Sequence, residues 1–294
     1  MISLDKFLII DGNSIICRAA FASSILSNSM GRETGGTYRF IAMLDKAMKV
    51  IQPTHVVVAF DIEGSNFRKN IDKNYKSNRE KMSFSAKIQN EDVKTILSLI
   101  GIKYVSLEGY EADDIVGTYV SKSKADKNFV LSGDRDLFQL IDEKTSVIYP
   151  EVGMSKFKTF DLEAFKAEYG IEINQYIYLK SLIGDDSDNI KGVSGCGLKT
   201  ASKLLKKYND IDTIIKNKNN LTAKLKENFS EWQPYFDKAL SIFTIVRDLD
   251  VPYSYDDCKI ELFWEKAESI FNELEFYSFI KKMKGGKFYN VDKQ

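Results

Sequence analysis

Short apolar runs alternate with longer amphipathic stretches through the first half of this chain. Phe7-Leu8-Ile9-Ile10, Val56-Val57-Val58-Ala59-Phe60 and Phe129-Val130-Leu131 are continuous and end on Asp, or on Ser-Gly-Asp. Runs of this length and bounding read as buried strands of a parallel sheet. With 102–105 and 146–149 they predict five strands. Helical periodicity fills the intervals, as from Tyr38 to Ile51 and from Asp92 to Leu99. The alternation predicts an α/β fold with a mainly parallel central sheet flanked by helices. From about residue 161 the strand pattern fades. Helical runs over 161–169, 174–183, 198–208, 210–216 and 231–247 predict an all-helical second domain. Phe263 to Ile280 reads as one aromatic-rich amphipathic helix, followed by the basic tail of Lys281, Lys282, Lys284 and Lys287. The expected division is 1–160, 161–260 and 261–294.

Polar residues at the ends of the apolar runs carry the chemistry. Asp11 and Asp61 each follow a run directly, and Asp134-Arg135-Asp136 follows a third after Ser132-Gly133. Glu111-Ala112-Asp113-Asp114 opens a helical stretch, and Asp185 and Asp188 lie in the second half. Taken singly, each acid reads as a helix cap, a first-turn residue or a turn. Caps have no reason to gather at the ends of adjacent strands, which is where open α/β sheets bind ligands. Converging carboxylates repel, and an all-oxygen donor set suits magnesium or manganese.

The bulk numbers narrow the class. The 42 Lys and Arg balance the 42 Asp and Glu, so the useful signal is how the signs segregate along the chain. Cys17, Cys196 and Cys258 are odd in number and widely spaced, which excludes a disulfide framework or a zinc pattern. A reducing, cytoplasmic compartment is expected. Asp5 and Lys6 precede a very short apolar run, unlike a signal peptide, and no apolar stretch is long enough to span a bilayer. His55, the only histidine, sits just before a strand as a structural residue, so no histidine is expected to serve as base.

Residues 62–90 interrupt the alternation with a polar insertion, a length that is usually functional in a compact domain. Between Asn66 and Lys81, Arg68, Lys69, Lys73, Lys76, Arg79 and Lys81 face only Asp72 and Glu80, with Phe67 and Tyr75 interleaved. Basic residues among aromatics suit single-stranded nucleic acid: charge follows phosphate and rings stack on bases. The other reading is a solvated charged helix. A second basic feature is Gly192-Val193-Ser194-Gly195-Cys196-Gly197-Leu198-Lys199-Thr200 between two helical stretches; Lys191 to Lys207 holds five lysines and no acid. Glycines permit positive φ and close backbone approach, and a helix N-terminus offers free N–H groups to an anion. Gly31, Gly35 and Gly36 with Thr37 and Tyr38 read as a small loop at a duplex junction.

Four strings, Leu8-Ile9-Ile10-Asp11-Gly12-Asn13, Tyr110-Glu111-Ala112-Asp113-Asp114-Ile115-Val116-Gly117-Thr118, Ser132-Gly133-Asp134-Arg135-Asp136-Leu137 and Ile183-Gly184-Asp185-Asp186-Ser187-Asp188-Asn189-Ile190, resemble the signature blocks of bacterial 5′ nucleases. That family includes the N-terminal 5′–3′ exonuclease domain of DNA polymerase I, phage 5′ nucleases and, more distantly, flap endonucleases. The resemblance covers nearly the whole chain in order. It implies a PIN-like sheet domain followed by a helix-hairpin-helix domain. It also implies two divalent cations, Mg2+ or Mn2+, that hydrolyse a phosphodiester. By it, Asp11, Asp61, Glu111 and Asp113 serve one cation, Asp134, Asp136, Asp185 and Asp188 the other, with Asp114 between them. Asp186 is a solvated neighbour. The basic insertion resembles the family's helical arch, in which Lys76 and Arg68 would face the scissile phosphate and Tyr75 would position the terminal nucleotide, with Arg79 beside them on the DNA. Gly192, Gly195, Gly197, Lys199 and Thr200 would grip duplex backbone at the hairpin, where the family also holds a potassium ion; Lys191 and Cys196 are unusual choices there.

The resulting expectation is a monomeric, metal-dependent nuclease on DNA with free 5′ ends or 5′ flaps, serving replication and repair. It would be a standalone enzyme or an excised domain, working with a separate DNA polymerase. The alternatives are a non-catalytic binder of branched DNA and a ribonuclease on the same fold. The balance of exonuclease and flap endonuclease activity is not legible in the residues.

Overall fold

The computed structural model describes residues 4–20, 26–64, 66–79, 82–151 and 156–290. Its centre is a six-stranded sheet of β1 (Lys6–Asp11), β2 (His55–Ala59), β3 (Lys103–Val105), β4 (Lys127–Leu131), β5 (Thr145–Pro150) and β6 (Phe157–Phe160), in the order β3-β2-β1-β4-β5-β6. β1 to β5 are parallel, and β6 joins β5 antiparallel. The apolar pattern holds no sign of β6, whose four residues Phe-Lys-Thr-Phe are too short to show a period.

Side chains alternate across each strand, and both faces are covered. Phe7, Ile9, Val57, Ala59, Val130 and Val147 face one core; Leu8, Ile10, Val56, Val58, Leu131 and Ile148 face the other. This explains the unbroken apolar runs. Around the sheet lie α1 (Gly12–Ala20), α2 (Gly35–Ile51), α3 (Phe67–Ile71), α4 (Phe84–Ile100) and α5 (Ala112–Lys122). α4 is bounded at both ends: the Ser83 hydroxyl accepts from Ala86 N–H at 3.2 Å, and Gly101 closes it at φ 90°. It starts eight residues earlier than its apolar periodicity suggests, because Phe84 to Glu91 is mostly polar. α2 likewise begins at Gly35, so Gly35, Gly36, Thr37 and Tyr38 form a helix start and not a loop. The N–H of Gly36 donates to Gln89 Oε1 at 2.6 Å, and a Cβ there would lie 2.8 Å from the same atom.

The second half is helical: α6 (Leu162–Tyr169), α7 (Tyr176–Ile183), α8 (Leu198–Tyr208), α9 (Ile211–Lys216), α10 (Ala223–Trp232) and α11 (Phe236–Phe243). A two-residue ladder, β7 (Gly184–Asp185) with β8 (Ile190–Lys191), sits between α7 and α8. The single helix expected over 231–247 is two helices. They break at Gln233-Pro234-Tyr235, where proline lacks an N–H, and the chain runs without regular structure after Phe243. These helices share the first core with the sheet, so the two regions are joined by one continuous set of buried side chains. The expected helix from Phe263 to Ile280 is also broken, into a 3-10 turn at Trp264–Ala267, α12 (Glu268–Glu273) and α13 (Tyr277–Lys284), with Glu275 at φ 59° between the helices. These pieces close the second core, and the basic tail folds back: Lys282 pairs with the buried Asp45 of α2. Among the described residues no helix is long and apolar enough to cross a membrane.

Candidate active site

β1 and β4 are neighbours, and the chain leaves their carboxyl ends in opposite directions, from β1 towards β2 and from β4 towards β5. That is the crevice where such sheets bind ligands. Asp11 lies at this point, at the end of β1. It is 3% exposed, its Oδ2 accepts from Ser132 Oγ after β4 at 2.7 Å, and its Oδ1 accepts from Ser14 N–H at 3.0 Å. Asp61, just past β2, accepts from Ala112 N–H at the start of α5 at 2.7 Å. The α5 N-terminus thereby brings Glu111 and Asp113 beside the strand ends. Asp134 caps the turn after β4, accepting from Asp136 N–H at 2.8 Å. Asp185 and Asp188 arrive from the β7 region. Arg68, Tyr75, Lys76, Glu111, Asp113, Asp134, Asp136 and Asp188 line one cleft.

Crowding shows in the protonation behaviour. Burial, with Asp61 and Asp134 nearby, pushes Asp11 up to about 7. Burial and then Asp134 push Asp136 to about 6, and burial with Asp134 and Asp11 raises Asp113 well above the usual carboxylate range. Asp61 and Asp188 are also raised, mainly by burial. Glu111 goes the other way, since Lys76 and Arg68 outweigh its burial. An array of carboxylates held against its own repulsion, with only oxygen donors, fits hard divalent cations. Among the described residues no three acids close on a single point as a ready-made cage. Basic side chains stand among them: Lys76 Nζ is 2.7 Å from Glu111, Arg79 pairs with Asp188, and Lys180 Nζ lies 2.6 Å from Asp136 and 3.0 Å from Asp185.

Several of these residues have partners within the protein. Asp114 is fully buried, and its carboxylate is occupied by protein: Arg68 grips both oxygens, and the N–H groups of Glu111 and Val246 add bonds of 3.1 and 2.9 Å. It anchors the α5 N-terminus and has no free face for a cation. Arg68 also lines this cleft, but it is only 3% exposed, and beyond Asp114 it donates to the carbonyls of Ile242 and Thr244. Tyr75 is buried with its hydroxyl donating to Glu111 at 2.9 Å; it holds an acid and offers no open ring for stacking. Residues 74–79 are therefore docked on the turn at 186–189. Lys76 N–H donates to the Asp188 carbonyl at 3.0 Å, Asn78 to the Asp186 carbonyl at 2.7 Å, and Asn189 back to the Asn74 carbonyl at 2.9 Å. Lys76 keeps the left-handed conformation at φ 53°, a strained geometry for a lysine. Lys81 lies outside the described residues.

At the hairpin, Gly192 serves the protein's own packing. A Cβ there would sit 2.2 Å from the Ile183 carbonyl, so the backbone at Gly192 packs closely on Ile183 and Gly184. Gly195, at φ 74°, and Gly197 open outward: around a Cβ at Gly197 there is nothing within 4 Å. Lys199 is exposed and Thr200 half-buried on the first turn of α8. The carbonyls of Lys191 and Ser194 are taken by Trp232 Nε1 at 3.0 Å and Asn228 Nδ2 at 2.7 Å. His55 is buried at the start of β2, the end opposite to Asp61, and stacks on Tyr255 at 4.0 Å. Lys180 is the site residue that motif reading misses, though its signal is there. It is the one charge in the apolar helix Tyr-Ile-Tyr-Leu-Lys-Ser-Leu-Ile.

Residues 6–170 match the family described as 5′-3′ exonuclease, N-terminal resolvase-like domain, and residues 171–266 match 5′-3′ exonuclease, C-terminal SAM fold. The chain belongs to the 5′-3′ exonuclease family. It is 35% identical to DNA polymerase I of Bacillus subtilis over 95% of this chain and 32% of that protein. The figures for DNA polymerase I of Geobacillus stearothermophilus are the same. The exonuclease chain thus spans about a third of the length of these curated relatives. Solved structures show the same fold. T5 5′-exonuclease with bound zinc matches at a TM-score of 0.68 and 19% identity, over 82% of this chain and 90% of that one. T5 flap endonuclease in complex with DNA and metal ions matches at 0.66 and 19%, over 98% and 100%. The catalytic core of Rad2 with DNA substrate matches at 0.61 and 16%, over 98% and 90%. The exonuclease fold is thus a mostly parallel sheet followed by a helical, SAM-like region.

Proposed function

We propose that this 5′-3′ exonuclease hydrolyses DNA phosphodiesters at free 5′ ends and 5′ flaps with the help of two Mg2+ or Mn2+ ions. The observation that supports this best is the gathering of Asp11, Asp61, Glu111, Asp113, Asp134, Asp136, Asp185 and Asp188 at the carboxyl end of one sheet. Two divalent cations, when bound, activate water and stabilise the leaving oxygen. Asp11, Asp61, Glu111 and Asp113 would hold one, and Asp134, Asp136, Asp185 and Asp188 the other.

The chain's remaining residues supply position and charge. Ser132 and Ser14 fix both oxygens of Asp11. The Arg68–Asp114 pair fixes the α5 N-terminus, and with it the spacing of Glu111 and Asp113. Lys76 and Arg79, now on Glu111 and Asp188, carry positive charge at the cleft, where a scissile phosphate would meet them and where developing negative charge is stabilised. The open side of Gly195 and Gly197 with Lys199 would take duplex backbone, with no sequence preference. A polymerase working on the same DNA fits the relatives in which this region is one part of DNA polymerase I. The unit is a monomer in this reading, and a potassium ion at the hairpin would be held by backbone carbonyls there.

The test is a 5′-labelled flap of DNA, incubated with Mg2+ and with EDTA, with product lengths mapped. Cleavage near the flap junction that needs Mg2+ is expected. Tight binding to the flap without cleavage in Mg2+ or in Mn2+ put in its place would replace this reading with a branched-DNA binder, and faster cutting of an all-RNA flap would replace it with a ribonuclease.

A further inference from the structure

Lys180 lies in the last turn of α7, and its ammonium is held on three sides. Asp136 Oδ1 is at 2.6 Å, Asp185 Oδ2 at 3.0 Å, and the Phe243 ring centroid at 5.2 Å. The two acids come from distant parts of the chain, Asp136 from the turn after β4 and Asp185 from β7. Lys180 is the link between them, since Asp185 gives its other oxygen to Ser187. The ammonium side chain is 18% exposed, as is that of Asp136, so water screens this triad only in part. Without a cation between them, two carboxylates this close and this sheltered would repel.

We propose that Lys180 is a positioning residue: a built-in counter-ion that assembles Asp136 and Asp185 into one site and lowers that site's affinity for a divalent cation. The inference rests on the two-cation reading above. A lysine suits this better than an arginine, because a compact ammonium on a flexible stem can withdraw from two carboxylates when a stronger cation takes them. The retreat also has somewhere to go, toward the Phe243 face. The exchange sets a threshold. The acid pair is already assembled before metal arrives, and the second cation must displace a resident charge to enter.

The test uses the full chain as wild type, K180M, K180Q and K180R. Each is melted in EDTA and in saturating Mg2+, and Mn2+ binding is followed by paramagnetic resonance. K180M and K180Q should melt about 2–4 °C lower in EDTA. Their rise on adding Mg2+ should exceed that of wild type, and the weaker Mn2+ site should tighten by roughly tenfold, since a nearby like charge is gone. K180R, which keeps the charge, should stay close to wild type in EDTA. If K180M does not fold in EDTA, K180Q carries the same reading, as it can still bridge one acid. Equal Mg2+-induced rises and unchanged Mn2+ affinity in the neutral variants would overturn the proposal, leaving Lys180 a packing residue. Weaker Mn2+ binding in them would overturn it too, because the lysine would then be aiding the cation. Absence of any Mg2+ or Mn2+ binding in wild type would instead remove the two-cation reading itself.

Discussion

The guanidinium of Arg68 lies two-pronged on the Asp114 carboxylate, with Nη1–Oδ2 and Nη2–Oδ1 both at 2.7 Å. Both partners are buried, and together they tie the basic segment after β2 to the first turn of α5 and to the carbonyls of Ile242 and Thr244 at the end of α11. Three parts of the chain that supply the cleft are thereby fixed to one another. The pair is a structural keystone under the acids, at a place where motif position alone suggests a metal ligand and a phosphate ligand.

Removing one member leaves the other a buried charge without its main partner. Asp114→Ala and Arg68→Ala should each lower stability by about 3–5 kcal/mol, and the double variant by much less than the sum. Urea denaturation of the three variants measures this. An Asp114→Ala protein that unfolds within about 1 kcal/mol of wild type would sink the assignment, since surface-like substitutions cost no more than that.

Lys76→Ala should slow cleavage far more than it weakens DNA binding. Its ammonium sits on Glu111 at the cleft, and in the proposed reaction its charge would act on negative charge that develops only in the transition state. The check is a single-turnover rate with saturating enzyme beside a binding isotherm in Ca2+. A rate within a few-fold of wild type would remove Lys76 from the chemistry.

Gly192 and Gly197 should separate packing from grip. Gly192→Ala drives a Cβ to 2.2 Å from the Ile183 carbonyl, so β7, β8 and the acids between them must shift. A stability loss of more than about 1 kcal/mol is expected, together with weaker binding of Mn2+. Gly197→Ala meets nothing within 4 Å and should melt like wild type. Thermal melts of the two variants decide it, and equal melting temperatures would show the close approach at Gly192 to be soft.

What is legible in the residues is what is local. β1, β2 and the end of β4 are continuous apolar runs because both faces of the sheet are covered, and the acids after them are visible as the residues where those runs stop. The partners of those acids are not visible. Whether Asp114 or Asp113 faces the cleft depends on one helical step at the α5 N-terminus, and Arg68 reaches Asp114 across 46 positions. The docking of Tyr75 and Lys76 on Glu111 also depends on tertiary contact, since a basic, aromatic segment looks the same whether it is open or folded down. Helix ends escape the apolar pattern where polar residues carry the helix, as in the first turns of α4. They also escape it where a proline or a left-handed residue breaks an amphipathic run, as at Pro234 and Glu275.

The hairpin offers the cleanest test of duplex binding. Gly197 stands at φ −76°, a conformation any residue adopts, and the space beside it is open, so valine can be placed there without backbone strain. If phosphate approaches this backbone, the valine side chain should block it. Gly197→Val should then weaken binding to duplex-containing substrates by a similar factor for every sequence, because phosphate and sugar look alike along any duplex. Lys199→Ala should weaken binding as well and reduce the slope of log affinity against log salt by roughly 0.9, the value for one phosphate contact. Cleavage at saturating enzyme should recover in both, since neither residue touches the acids. The measurement is fluorescence anisotropy of a flap duplex over a salt series, paired with melting curves. Unchanged duplex affinity in a Gly197→Val protein that melts like wild type would take this turn out of the DNA-binding surface.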